Sequence, residues 1–411
     1  MSGEQNTAPV IPTWIKASLF EPVFKEIFCN FQEINDFKAK PALSAGENYA
    51  TVMLRLEAEI EMTDGSCESI TLMLKTAHDS EAIKEVVKNN NVFNVETIMY
   101  QEVVPELEQL YKKAGVDINF APKFYEIDTE YPHLLLEDLK PKGYTNINRL
   151  EGLDIQHTQA VLTVLAQWHA ASAVQIATKE NYKPILFETY FKEENREMMS
   201  KIFDSLTAAF LKSAKNYEGH ELYYERLCQH KDVILDEMFE ANKQDENEFN
   251  VLNHGDCWSN NVMFKHDELG NIVGTFLVDY QIPHIGPPAQ DLYYLLLSST
   301  RYELKIEKFD YFIKYYHDRL IENLILLKYP KKLPTLKELH IMLHKYNAWA
   351  YNASTGIMAA VLLDPSDNAK LDNYFSYSDE AAQFKMQLYS NPRYRKHMEM
   401  VLPWLYYRGT F

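Results

Sequence analysis

Two runs of strictly alternating residues constrain this chain more than any other feature. From Ala50 the segment VMLRLEAEIEM places Val52, Leu54, Leu56, Ala58 and Ile60 on one side, and ESITLMLKTA does the same with Ile70, Leu72 and Leu74. Side chains repeat every two residues along a strand, so both runs read as half-buried strands. Asp64-Gly65 between them predicts a tight turn, and therefore an antiparallel hairpin. The same period puts Thr71, Met73 and Lys75 on the face away from the leucines.

After this hairpin the pattern changes. Phe93, Glu96 and Tyr100 recur at helical spacing until Pro105, which is expected to interrupt the helix. Two strand-like pieces, KFYEID and HLLLED, follow, and Lys140-Pro141-Lys142-Gly143 reads as a linker. Beyond it the pattern is mostly helical: a buried helix over 155–173, two or more helices over 194–242, and further helices over 302–328 and 335–360. The exception is 251–280, where two apolar runs flank the turn residues Asp267 to Asn271 and predict a second hairpin. The expectation is an α/β fold of the α+β kind, bilobal, with a small β-rich N-terminal lobe (1–139) and a larger helical C-terminal lobe (140–411).

Charge narrows the partners. Lys and Arg number 41 against 59 Asp and Glu, a net charge of -18, which repels nucleic-acid backbones and anionic membranes alike. The most apolar stretch, 160–177, carries Gln167, His169 and Gln175, too polar for a membrane span of ~20 residues. The start of the chain, with Glu4, Pro9 and Pro12, lacks the basic and apolar regions of a signal peptide. Cys29, Cys67, Cys228 and Cys257 form no Cys-x-x-Cys pair. A reduced, cytoplasmic protein is expected, with no nucleic-acid, membrane or obligate protein partner.

The chemistry concentrates in His254-Gly255-Asp256-Cys257-Trp258-Ser259-Asn260-Asn261. Asp256 precedes Asn261 by five positions, and Asp279 ends the next strand. Phosphoryl transfer needs such a set: a carboxylate to accept the proton of an attacking hydroxyl, and an amide oxygen and a second carboxylate to hold Mg²⁺ on the phosphates. Lys75 on an upstream strand supplies a phosphate-contacting cation, and Glu96 on the following helix supplies its anionic partner, with Glu102 as the competitor. The turn at 44–50, with Gly46 and Asn48, lies where a loop covers nucleotide phosphates, although it holds no GxGxxG or GxxxxGK[ST].

The segments GENYAT, LMLK, VETIMY, LLLEDL, LAQWHAAS, NHGDCWSNN, LVDYQ and PAQDLYYLLLSS together resemble the ecdysteroid kinase-like family of insects, a branch of the kinase-like superfamily related to aminoglycoside and choline kinases. The resemblance runs from about residue 20 to 400. It implies a protein-kinase-like fold that uses ATP and Mg²⁺. Asp256 then matches the catalytic base, Asn261 and Asp279 the metal ligands, and Lys75 and Glu96 the phosphate-positioning pair. Glu137-Asp138-Leu139 matches the hinge that meets adenine through Glu137 and Leu139, and Asp291 an aspartate bracing the catalytic loop. Tyr280-Gln281 replaces the Phe-Gly of protein kinases, and neither an HRD nor an APE element is present, which disfavours protein substrates.

The function expected is therefore ATP-dependent O-phosphorylation of a small alcohol. Trp258 beside Asp256 and Trp349, with Ile357 and Met358, are candidate walls of an apolar acceptor pocket. Family likeness tips the acceptor toward an ecdysteroid or a xenobiotic alcohol, as in detoxification. Two rivals are a metal-dependent phosphoester hydrolase, for which His254, Asp256, Asp279 and His284 are possible ligands, and a kinase-like module that binds nucleotide without turnover.

Overall fold

In the computed structural model, which describes residues 11–42, 51–77, 91–180, 182–187, 190–243, 245–365, 373–374 and 376–411, the two alternating runs pair as expected. Helix α1 (Ala17–Ile27) and strand β1 (Phe31–Pro41) come first, and β2 (Thr51–Met62) and β3 (Cys67–Ala77) form the hairpin. Gly65 sits at φ +81°, the left-handed conformation its turn requires. Gly46 and Asn48 fall outside the described residues.

Helix α2 (Val92–Ile98) runs through a π turn (Met99–Val103) into α3 (Val104–Lys113). Pro105 therefore does not end the helix, contrary to the expectation. The Val104 amide bonds back to the Met99 carbonyl, five residues away, and this wider turn places the proline at the start of α3, where its missing N–H is not needed. Strands β4 (Phe124–Tyr125) and β5 (His133–Glu137) complete a five-stranded sheet of order β1-β2-β3-β5-β4.

Strand alternation divides the core. Leu72 and Leu74 of β3 and Leu135 of β5 join α1, β1 and β2 in one apolar cluster. Leu134 and Leu136, on the other face, join α2, α3 and the helical part in a second cluster, against which Met73 packs. Lys75 shares the Met73 face, so the strand delivers its ammonium toward the helical lobe while Leu74 anchors it from behind.

The chain then forms β6 (Tyr144–Thr145), α4 (Ile155–Thr178), α5 (Arg196–Ala214), α6 (Tyr224–His230), α7 (Ile234–Ala241) and β7 (Val251–Asn253). The second hairpin, β8 (Val262–His266) and β9 (Ile272–Leu277), adds β6 at its edge, while β10 (His284–Gly286) pairs antiparallel with β7. Helices α8 (Ala289–Ser299), α9 (Tyr302–Lys305), α10 (Phe309–Leu326), α11 (Leu336–Lys345), α12 (Ala348–Asn352), α13 (Met358–Val361), α14 (Asp379–Ser390) and α15 (Pro392–Tyr407) finish the chain. The result is a kinase-like α+β fold with a β-rich N-terminal part and a helical C-terminal part. Helix α4 is long and apolar enough to cross a membrane, but 67% of its most apolar window is buried inside the protein, where it packs on α10 and β7.

All eleven residues of α8 are buried. Beyond its C-terminal end, Lys305 is 0% exposed and donates to the Leu297 carbonyl at 2.6 Å, and burial pushes its ammonium pKa down to about 7. An unfolded chain holds that proton up to the ordinary lysine range, so between pH 7 and 10 the unfolded state binds more protons and the fold gains stability as pH rises. Lys305→Met is expected to be more stable than wild type at pH 7. Its advantage should shrink by up to ~1.4 kcal/mol per pH unit toward pH 10, read by urea unfolding; a pH-independent difference contradicts the buried-lysine assignment.

Candidate active site at the lobe junction

The two lobes meet at Lys75. Its Nζ donates to Glu96 Oε2 at 2.6 Å and to Asp279 Oδ1 at 2.5 Å, joining β3, α2 and the turn after β9. Lys75 and Glu96 are 3% and 1% exposed. Burial opposes the charge on Lys75, but Asp279 and Glu96 outweigh it and hold the ammonium above the usual lysine range. Burial pushes the Glu96 carboxyl up, Lys75 resists, and Asp279 adds to the rise. Glu102, the competitor, instead pairs with Lys183 on the surface.

Asp279 adopts φ +71°, a left-handed conformation that few residues other than glycine and Asn or Asp hold. Tyr280 secures it from below: its ring is buried against Trp168 and Tyr100, and its hydroxyl donates to the Phe120 carbonyl at 3.0 Å. The strained residue is thus over-determined by packing, as functional outliers are.

Asp256 faces this cluster from the loop after β7. Asn261 Nδ2 donates to Asp256 Oδ2 at 2.7 Å and to its backbone carbonyl at 3.0 Å, which accounts for the five-residue spacing. Tyr294 donates its hydroxyl to Asp256 Oδ1. Burial, with the nearby charge of Asp279, raises the Asp256 carboxyl above the ordinary aspartate range, while Tyr294 and Asn261 work against the rise.

The loop itself is braced from α8 and α4. Asp291 accepts from the His254 amide at 2.6 Å and the Gly255 amide at 2.9 Å, and contacts His169 Nε2 at 3.2 Å. Trp168 Nε1 donates to the Leu252 carbonyl at 2.6 Å, and the Leu252 amide to Ser172 Oγ at 2.9 Å. Gly255 sits at φ +82°, and a Cβ there would meet the Ile282 carbonyl oxygen at 2.0 Å. His254 uses Nε2 on the Val278 carbonyl and Nδ1 to accept from the Asp256 amide. Both ring nitrogens are spent on shaping the loop.

At the linker, Asp138 turns back into the small sheet, accepting from Arg55 Nε and Thr71 Oγ1 at 2.8 Å each and from the Lys140 amide at 3.0 Å. Glu137 and Leu139 flank it; the Glu137 amide donates to the Lys123 carbonyl at 2.8 Å, and the buried Leu139 opens the turn at 140–142.

A cavity of about 250 Å³ opens beside Asp256, reaching Gly255 and Tyr294. Tyr190, Phe191, Phe203, Trp349 and Ile357 wall it, and Phe191 meets the Phe203 and Trp349 rings edge-on at 6.0 Å each. Trp349 and Ile357 thus lie where an acceptor pocket needs them, while Met358 is in the core. Trp258 lies outside the lining; half-buried, it precedes the turn Ser259–Asn261 and accepts from the Asn261 amide.

Sequence reasoning gave no role to Tyr294, nor to Tyr190, Phe191 and Phe203. Tyr294 had a signal, since it follows Asp291 by three residues and so shares its helix face. The aromatics come from a connection between α4 and α5 and from α5, with no pattern to mark them.

The model of the ecdysteroid kinase-like family matches residues 45–329. The chain belongs to that family of kinase-like small-molecule phosphotransferases. No curated protein matches it significantly.

The geometry separates a bracing aspartate from a reactive one. Asp291→Ala strands the His254 and Gly255 amides in the interior and is expected to cost about 3–5 kcal/mol in chemical unfolding. Asp256→Asn, at the cavity edge, should change stability by less than about 1 kcal/mol. Equal losses would contradict the division of roles.

Proposed function

We propose that the chain transfers the γ-phosphoryl group of ATP to a hydroxyl of a small, largely apolar alcohol. The observation that carries this reading is the Lys75–Glu96–Asp279 cluster lying near Asp256, whose neighbour Gly255 and partner Tyr294 line an aromatic cavity. Lys75, held by two carboxylates, is placed to position phosphates. Asp256, with each oxygen already oriented by a donor, is placed to take the hydroxyl proton as the acceptor oxygen bonds to phosphorus and the bond to ADP breaks.

The residues fit Mg²⁺. One lysine lies among Glu96, Asp279 and Asp256, so carboxylates outnumber cations there; burial is the main cause that raises Glu96 and Asp256, and the charge of Asp279 acts in the same direction at both. Asn261 spends its amide nitrogen on Asp256, which leaves its side-chain oxygen as a hard donor, and its backbone carbonyl accepts from the Val278 amide, the residue before Asp279. Asp279 and Asn261 would hold the ion, and bound Mg²⁺ supplies charge neutralisation on the phosphates. Among the described residues no group of three or more His, Cys, Asp or Glu converges. That set suits an ion shared with a nucleotide better than the two-metal site of a hydrolase.

The acceptor class follows from the cavity walls. Among its described lining residues there is no Asp or Glu, so a cationic acceptor such as choline or an aminoglycoside finds no counter-charge except Asp256. An ecdysteroid or a xenobiotic alcohol remains, and a volume of about 250 Å³ favours compact members of that class.

Competing ecdysone, a simple phenol, choline and kanamycin in one ATP-consumption assay is expected to show turnover on an apolar alcohol; preference for either cation overturns the acceptor assignment. Asp256→Asn should lower turnover about 10²-fold or more with ATP affinity nearly unchanged, and near-native turnover would sink its role as base. Asp279→Asn should raise the Mg²⁺ concentration needed for half-maximal rate. An unchanged titration counts against Asp279 as a ligand.

A further inference from the structure

Two histidines from distant parts of the chain meet outside both the phosphate cluster and the aromatic cavity. His157, in the first turn of α4, and His266, the last residue of β8, bring their Nε2 atoms to 3.1 Å. Phe264 supports both rings, with centroids at 4.8 Å from His157 and 6.5 Å from His266. On its other nitrogen, Nδ1, His157 meets Asp154 Oδ1 at 2.8 Å, and the same oxygen accepts from the His157 amide at 3.0 Å as the N-cap of α4. Arg301 stands 4.0 Å from Asp154 Oδ2.

This arrangement decides which nitrogen of His157 carries the proton. Asp154 accepts from Nδ1–H, so the neutral ring presents a bare Nε2. Imidazoles that ligate a metal commonly hold their second nitrogen on a carboxylate in this way, which sets the tautomer and makes the ligating atom more basic. The spacing fits as well. Metal–nitrogen bonds of about 2.0–2.1 Å put two ligating nitrogens about 2.9 Å apart at a right angle and about 3.4 Å apart at the tetrahedral angle, and the observed 3.1 Å lies between. Without an ion, the His266 Nε2 proton bridges the two nitrogens. His266 is exposed, so its ring can turn and hold its proton on Nδ1 instead, which leaves both Nε2 atoms bare.

We infer that His157 and His266 form a binding site for a transition-metal dication of the zinc, copper and nickel class, with Asp154 orienting His157. Imidazole nitrogens suit such ions, whereas Mg²⁺ prefers oxygen. Among the described residues no third His, Cys, Asp or Glu joins the pair, so water completes the coordination. The ion clamps the first turn of α4 to the β8–β9 hairpin, which lies in the chain between Asn261 and Asp279. Binding to the folded state alone stabilises it. None of this depends on the phosphotransferase reading.

The test is calorimetric titration of the full chain with ZnCl₂ in millimolar Mg²⁺, paired with thermal melts. His340 and His344 of α11 are a second pair at helical spacing, so every protein compared carries His344→Gln. Saturable zinc binding is expected, with a melting temperature raised by zinc and not by further Mg²⁺. His266→Gln, at an exposed position, should weaken zinc binding about tenfold or more and remove the thermal shift; Asp154→Asn, which keeps a cap on α4, should weaken it about tenfold. Absence of saturable binding, or an affinity unchanged in His266→Gln, overturns the site and leaves the two rings a hydrogen-bonded pair alone. An affinity unchanged in Asp154→Asn overturns the orienting role of the carboxylate.

Discussion

The Lys75 ammonium is shared between a carboxylate of the small lobe and one of the large lobe, and it is almost wholly removed from water. Taking Lys75 and Glu96 out of solvent costs several kcal/mol per ion, and only close mutual pairing, with the partly exposed Asp279, repays it. Each partner must therefore arrive accurately. Leu72 and Leu74 fix the strand behind Lys75, α2 presents Glu96, and packing around Tyr280 holds Asp279 in its left-handed conformation. The cluster sits where α2 and β5 already share an apolar core with the helical part.

Across the cleft, Asp256 is treated differently. Its oxygens are each engaged by one donor, and among the described residues no lysine or arginine pairs with it, so it stays available to a proton. The rigidity it needs comes from groups that do no chemistry themselves: Asp291 ties down two consecutive amides, Gly255 permits the close approach to Ile282, and α4 holds the Leu252 backbone. Mobility is thereby removed from the loop before any substrate binds, the condition for effective positioning.

Much of this was legible in the chain. Alternation through Leu72, Leu74 and Lys75 put the lysine on its own face, and the spacing of Asp256, Asn261 and Asp279 marked the loop, because local hydrogen bonds impose local spacing. Where distant segments converge, the pattern fell silent. Tyr294 reaches Asp256 across 38 residues, and the cavity aromatics gather from α5, α12 and the connection before α5. Trp258 was expected beside an acceptor for its nearness to Asp256 in sequence, but the turn it precedes keeps it out of the cavity lining. Pro105 was read as a helix stop because proline usually is one, and only the π turn before it, invisible in composition, lets the helix continue.

The central claim is that Lys75 and Glu96 act on the nucleotide as one unit. A double-mutant cycle on kcat/KM for ATP, comparing Lys75→Met, Glu96→Gln and the double variant, measures this directly. A loss in the double variant close to that of Lys75→Met alone is the predicted result, since Glu96 has no task once the lysine is gone. Losses that simply add would contradict it and separate Glu96 from the site.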